Sequence, residues 1–496
     1  MGGSWRWRTA VFLLPTACLN AATYYIAPNG SDLNSGAIDA PFSNLTTAVA
    51  LVGPGDTIYM RGGTFTYSTT IHLTNSGTAL LPIKIWNYPN EHPVLDFSPM
   101  ADADANRGIL ITTNANFWYI KGLEVYRAGD NGMKIEGSGN IIEFCSFHHN
   151  HDSGLQIGLG DSDLDLPYRV CSNQILNCDS YLNYDPRHGG GNADGFCCKL
   201  HPGQGNVFRG CRSWENSDDG WDLYKNQYDV TLDNCWTFHN GDPASFGTNS
   251  AGNAEGFKLG GDTDFYGPRL VTRCIAFLNH FGGSGAGKAF HQNDHQGPIT
   301  LLNCLSFSNN YDYALNNSGG THLVENCVAF DPFGPDHKLV SSNSTSSDIY
   351  IHNSWNLPVT PNTADYAVLT EAAAKAPRQA DGSLPNNGFA ELVAGSDLID
   401  KGVDVGLPFN GAHPDLGPFE FEVPRLVLID AVSMTDTGLN LHVIGLTSHS
   451  NVIVQASTDL AGWVDIFTNQ PITGGWEYVD PDATSLPQRF YRVEEQ

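Results

Sequence analysis

Positive charge is scarce in this 496-residue chain: 25 lysines and arginines stand against 53 aspartates and glutamates, a formal net charge of −28. That balance excludes general nucleic-acid binding, which needs a basic face. Charged residues of either sign make up only 16% of the chain. No long stretch spaces its apolar residues at helical intervals; residues 367–375 are the best helical candidate, and they are few. Helix bundles and coiled coils are thereby excluded. Long apolar runs are missing too, except at the start. There Arg6 and Arg8 precede an apolar run over 9–18 and the small residues Ala21-Ala22, the pattern of a signal peptide over residues 1–22. The run is too short to cross a bilayer. The mature protein is therefore expected to be secreted, extracellular or periplasmic, with no membrane span, and a monomer.

Glycine, at 53 residues, is abundant, and there are 11 cysteines. Short strands joined by many turns suit this composition. In an exported chain cysteines ordinarily suggest disulfides, and a Cys171–Cys178 pair stays open. Most of the cysteines, however, belong to one repeat. Cys145-Ser-Phe-His-His-Asn150, Cys178-Asp-Ser-Tyr-Leu-Asn183, Cys211-Arg-Ser-Trp-Glu-Asn216, Cys235-Trp-Thr-Phe-His-Asn240, Cys274-Ile-Ala-Phe-Leu-Asn279, Cys304-Leu-Ser-Phe-Ser-Asn309 and Cys327-Val-Ala-Phe330 share it. The cysteines are 33, 33, 24, 39, 30 and 23 residues apart. A strand-like unit recurring at this variable interval predicts an all-β fold, a parallel β-helix solenoid with loops on some turns. Stacked cysteines should then lie inside as buried thiols, with an aromatic ladder beside them and asparagines stacked at a bend.

A second repeat runs in phase: Gly132-Met-Lys134, Gly154-Leu-Gln156, Gly195-Phe-Cys197, Gly220-Trp-Asp222, Gly256-Phe-Lys258 and Ala289-Phe-His291. The large apolar residue should face inward and the next one outward, with the glycine relieving the backbone at a turn. Neighbouring turns of a parallel sheet lie about 4.8 Å apart. Asp222 and Lys258 thus become lateral neighbours, and Asp194, Asp218 and Asp219 converge beside them. Four carboxylates so crowded repel one another unless a cation offsets them. All-oxygen ligation suits Ca²⁺ better than Zn²⁺. A lysine beside a metal ion is pushed towards neutrality and can serve as a general base. The fitting reaction is β-elimination from a uronate polymer, Lys258 taking the C5 proton. From Arg187 to Phe290 nine lysines and arginines meet eleven acids, so this stretch is close to neutral.

The motifs Gly191-Asn-Ala-Asp194-Gly-Phe-Cys-Cys-Lys199-Leu, Asn216-Ser-Asp218-Asp219-Gly-Trp-Asp222-Leu-Tyr224 and Gly256-Phe-Lys258-Leu-Gly-Gly261 resemble those of family 9 polysaccharide lyases, the pectate lyase group with a right-handed parallel β-helix. The resemblance extends from about Tyr24 to Glu420, including Ala376-Pro-Arg-Gln-Ala-Asp-Gly-Ser-Leu-Pro. It implies that Asp194, Asp218, Asp219 and Asp222 bind calcium, that Lys258 is the base, and that the partner is an acidic polysaccharide, pectate or a related uronate polymer. Lys199, Lys225, Lys288 and His291 are candidate substrate contacts, because a polyuronate needs positive partners. Two positions depart from the family pattern: Phe290-His291-Gln292-Asn293, where an Asp is common, and Glu255, where small or amide residues are. Both bear on the substrate cleft.

Three boundaries follow: a signal peptide over 1–22, a β-helix catalytic domain over 23–422, and an all-β accessory module over 423–496, where cysteines vanish. Gln455-Ala-Ser-Thr-Asp-Leu-Ala-Gly-Trp463 resembles small modules appended to secreted bacterial proteins. Rival readings remain at this stage: a rhamnogalacturonan lyase, an inverting hydrolase using Asp218 and Asp219, or a non-catalytic carbohydrate-binding solenoid.

Overall fold

The computed structural model describes residues 21–249, 251–281, 287–315, 320–331, 333, 338–340, 349–422, 427–447, 451–469 and 473–495. The signal peptide expected over 1–22 lies outside them but for its last two residues. The chain divides into two compact units, Met1–Glu420 and Phe421–Gln496.

In the first unit each coil gives one short strand to each of three parallel sheets. One such coil is Ile141–Glu143, Ser146–His148 and Leu155–Ile157. Among the described residues the first sheet holds 12 strands, from Thr23–Ile26 to Ile349–Ile351, and the second and third hold 10 each. The second runs from Gly63–Thr66 to Val328–Phe330, the third from Ile71–Leu73 to Lys338–Val340. The result is a parallel β-helix. The short helix Leu45–Val49, unforeseen from the sequence, buries Leu45, Ala48 and Val49 against the first coils. The other helix, Glu371–Ala374, is shorter than the helical pattern suggested.

The repeats explain how the coils stack. Cys145, Cys178, Cys211, Cys235, Cys274, Cys304 and Cys327 are buried free thiols, and Cys171 is also unpaired. At the corner between second and third sheets, the residue before each ladder asparagine is left-handed: His149, Leu182, Glu215, His239 and Leu278 have φ of 58°, 54°, 51°, 57° and 56°. Such a conformation costs a side-chain-bearing residue about 1–2 kcal/mol. A buried amide ladder offsets it. Asn150 Nδ2 donates to Asn183 Oδ1 at 2.9 Å, Asn183 to Asn216 at 2.8 Å, Asn216 to Asn240 at 3.1 Å and Asn240 to Asn279 at 3.1 Å.

Two aromatic ladders run along the axis. His148, Tyr181, Trp214, Phe238, Phe277, Phe307 and Phe330 stack in succession on the outer face of the second sheet. Tyr366 and Phe389 of the following segment pack on this ladder. Phe196, Trp221, Phe257, Phe290 and Tyr313 stack inside, beneath the third sheet.

The glycines of the second repeat serve close approach rather than turn geometry, which corrects the expectation from sequence. A Cβ at Gly195 would lie 2.0 Å from Ser213 Oγ, and one at Gly220 would lie 1.9 Å from Thr237 Oγ1. Those hydroxyls come from the second sheet, and the Ser213 hydroxyl donates to the carbonyl of Gly220 at 3.0 Å.

The second unit is built from two antiparallel three-stranded sheets. One contains Leu428–Thr435, Gly438–Thr447 and Thr473–Asp480, the other Val464–Asn469, Val452–Ser457 and Phe490–Glu495. Val443, Leu446 and Val452 form its buried core, with Trp476 and Val493 packed against them. No helix among the described residues is long and apolar enough to cross a membrane.

Candidate active site

The third sheet carries the site, and its register is the one the repeat implies. Lys134 pairs with Gln156, Gln156 with Cys197, Cys197 with Asp222, Asp222 with Lys258 and Lys258 with His291. The apolar neighbours Phe196, Trp221, Phe257 and Phe290 point inward and are fully buried. Side-chain alternation therefore turns Asp222 and Lys258 outward on adjacent rungs.

Asp194, Asp219 and Asp222 each offer a carboxylate oxygen, and these oxygens lie within 4.8 Å of one another. Backbone amides aim them: Asp219 N–H donates to Asp194 Oδ1 at 3.1 Å, Glu255 N–H to Asp219 Oδ1 at 3.0 Å and Tyr224 N–H to Asp222 Oδ1 at 2.9 Å. Asp218 borders the group, held by the amides of Asn253 and Asn192 at 2.6 and 2.8 Å. Asp219 is buried against Lys258, whose amine lies 3.2 Å away, which places it poorly as one of two hydrolase carboxylates that must flank a water.

Two lysines enter the cluster. The Lys258 amine lies 3.2 Å from Asp219 Oδ2 and 3.4 Å from Asp222 Oδ2. The Lys199 amine lies 2.7 Å from Asp194 Oδ2 and 3.2 Å from Asp222 Oδ2. With every carboxylate ionised, these four acids and two ammonium groups would carry a net −2. The protein leaves this charge unmet: burial, then repulsion from Asp194, pushes Asp218 up to about 6. Burial and the neighbouring Asp218 raise Asp219 well above the usual carboxylate range. A divalent cation ligated by oxygen would cancel the deficit, so these residues fit calcium. Burial alone would lower Lys258, but Asp222, Asp219, Asp218 and Asp194 outweigh it and hold the ammonium well above its ordinary value.

The four candidate substrate cations are placed differently from one another. Lys199 is about as buried as Lys258, and its amine is held between Asp194 and Asp222, where it serves as a counter-ion within the cluster. The Lys225 amine sits 2.7 Å from Asp161 and over the Tyr224 ring. Lys288 and His291 both bond Glu255, at 3.1 and 2.5 Å. Glu255 thus holds two basic side chains together beside Lys258, joining the two positions singled out in the sequence. Tyr224, whose ring centre is 6.0 Å from the Lys258 amine, was overlooked. Its signal was present, since it follows Asp222 by two residues and shares its outward face.

Comparison with known proteins agrees with this architecture. The model of the Pel9A-like right-handed β-helix region matches residues 24–372. Pectate lyase L of Dickeya chrysanthemi is 36% identical over 410 residues, covering 80% of this chain and 90% of that protein. The crystal structure of pectate lyase Pel9A superposes with a TM-score of 0.72 at 36% identity, over 81% of this chain and 96% of that one. A rhamnogalacturonan lyase gives a TM-score of 0.63 at 27% identity, over 75% and 97%. The solenoid is therefore right-handed, and the chain belongs to the Pel9A-like β-helix family of polysaccharide lyases.

Proposed function

We propose that this chain is a secreted, calcium-dependent lyase that cleaves pectate by β-elimination, with Lys258 as the base. The observation that carries this reading is the Lys258 amine, 3.2 Å from Asp219 and 3.4 Å from Asp222, on the rung bordering the carboxylate cluster of Asp194, Asp219 and Asp222. Asp194, Asp218, Asp219 and Asp222 would hold the calcium. Bound there, calcium would offset the charge of a uronate carboxylate and so acidify its C5 proton.

The remaining steps belong to the chain's own residues. Lys199 supplies one of the cluster's two positive charges and keeps Asp194 and Asp222 in place. Once the carboxylates around Lys258 are neutralised, their hold on its proton weakens and the amine can accept one. Lys258 then takes the C5 proton, the electron pair forms the C4–C5 double bond, and the glycosidic oxygen leaves C4 to be protonated by solvent. Lys225 and Lys288 line the approach as cations tempered by acidic partners, with His291 beside them on Glu255. The second unit acts as an accessory module to a monomeric enzyme.

The test is ultraviolet absorbance of unsaturated product from polygalacturonate, with calcium and with chelator. The signal should require calcium, and Lys258→Ala should reduce it by about 10²–10⁴-fold or more, the range for a general base. Reducing ends without absorbance would overturn the reading. The likeness to a rhamnogalacturonan lyase makes that polymer the second substrate to assay.

A further inference from the structure

A cavity of about 360 Å³ opens at the corner between the second and third sheets, within the range of sites for small ligands, about 300–1,000 Å³. Its walls include Met100, Arg127, His149, Leu182, Tyr184 and Phe246. Arg127, His149 and Leu182 are the left-handed corner residues of three successive coils, with φ of 59°, 58° and 54°, so the cavity runs along the solenoid axis. Tyr184 and Phe246 stack at 4.9 Å and give it an aromatic wall.

The charge in this cavity is unusual for so acidic a protein. Arg127 is exposed, lies over the Tyr126 ring at 4.9 Å, and among the described residues pairs with no carboxylate. Burial, His148 and Arg127 together push His149 down to about 4, so it is uncharged at neutral pH. The nearby acid Asp102 pairs with Arg187, at 3.0 Å, a guanidinium it shares with Asp104, Asp130 and Asp185. One open guanidinium beside stacked rings and the apolar Met100 and Leu182 is complementary to a sugar ring bearing a carboxylate.

We propose that this cavity is a distal uronate subsite, in which Arg127 grips the carboxylate of a galacturonate unit belonging to the polymer being cleaved. The proposal rests on the reading of the chain as a lyase of an acidic polymer. Two features tie the cavity to the active site. Tyr184 opens the loop that leads to Asp194, and Phe246 lies in the loop whose Asn253 amide holds Asp218. Arg127 also stands four corners before His239, the corner on the coil of Lys258. Four coils span about 19 Å along the axis, so a trimer engaged at Lys258 is too short to reach Arg127, whereas a long chain is not.

Chain length therefore provides the test. Arg127→Ala should raise KM for polygalacturonate about tenfold while leaving kcat/KM for trigalacturonate within twofold; Arg127→Lys should recover part of the loss. A KM unchanged on every length, or an equal loss on trimer and polymer, would overturn the subsite. Binding separates this outcome from failure of the lyase reading. Should the wild-type protein release no unsaturated product, calorimetric titration with a long oligogalacturonate still decides: about tenfold weaker binding by Arg127→Ala supports the subsite, and equal binding or none overturns it. Circular dichroism and melting of the variant check its fold, which the exposed position of Arg127 should leave intact.

Discussion

Replacing Lys199 with methionine removes a buried charge while keeping most of the side-chain volume, and it tests the counter-ion role directly. Wild-type Lys199 bridges Asp194 and Asp222 at 2.7 and 3.2 Å. Its loss makes the cluster one unit more negative, in chelator and with calcium bound alike. Removing one partner of a buried ion pair costs about 3–5 kcal/mol, because the other is left uncompensated. In chelator, Lys199→Met should lose about that much stability; with saturating calcium, more than half should return, since the cation then meets one more unit of negative charge. Calcium should thus stabilise the variant more than the wild type. Denaturant unfolding followed by tryptophan fluorescence suits the question, because Trp221 is fully buried next to Asp222. A variant as stable as wild type in chelator, or one that gains no more from calcium, would refute the argument. So would a pure rise in KM with unchanged stability, the signature of a substrate contact.

Acidity should matter in the same region. In chelator, the folded protein keeps the Asp218 proton up to about 6, whereas the unfolded chain releases it near 3.9. Between those values the folded state binds more protons at this group, so the Asp218 contribution to stability should fall as pH rises through about 4 to 6, by up to roughly 3 kcal/mol. Calcium should abolish the decline; urea titrations at several pH values check both. Gly220→Ala places a Cβ 1.9 Å from Thr237 Oγ1 and 2.6 Å from the Gly256 carbonyl. It should cost about 3 kcal/mol or more, with Thr237→Ala in the same chain restoring part of the loss. Strict additivity in that double-mutant cycle would show that the hydroxyl is not the obstacle.

The legible parts of this protein were those that repeat. Cys-x-x-aromatic-x-Asn and Gly-apolar-polar recur because every coil must fill the same interior and turn the same corner, so aligning the repeats aligns the rungs. That is why Asp222 could be set beside Lys258 across 36 residues, as the strand register bears out. What failed to show was whatever depends on a single side chain's path. Lys199 sits two residues beyond Cys197 and alternation correctly turns it outward, but alternation cannot say that its amine closes on both Asp194 and Asp222. The glycines were misread for a related reason: a small residue at a fixed place signals crowding or a special backbone angle equally well, and only the neighbour's hydroxyl decides. Tyr184 and Phe246 lie in loops of unequal length that no repeat constrains, so nothing in the sequence announced their stacking or the cavity they wall.

An acidic protein that handles a polyanion must solve its electrostatics locally, since the chain's net −28 would otherwise repel the polymer. The third sheet does this by concentrating opposite charges where they cancel. Lys199 and Lys258 are buried among four aspartates, and Lys288 and His291 are held on Glu255. Each lysine near the cleavage point is thus partly spent on an acid of the protein itself. Attraction for a uronate must then come from groups not so engaged: a divalent ion in the carboxylate cluster, and Arg127 at the corner. This division of labour makes chemistry and grip separable. Neutralising the cluster governs whether Lys258 can accept a proton, whereas Arg127, four coils away, governs only how firmly a long chain is held. The same separation explains why short substrates should be indifferent to Arg127 while no substrate of any length should be indifferent to Lys258.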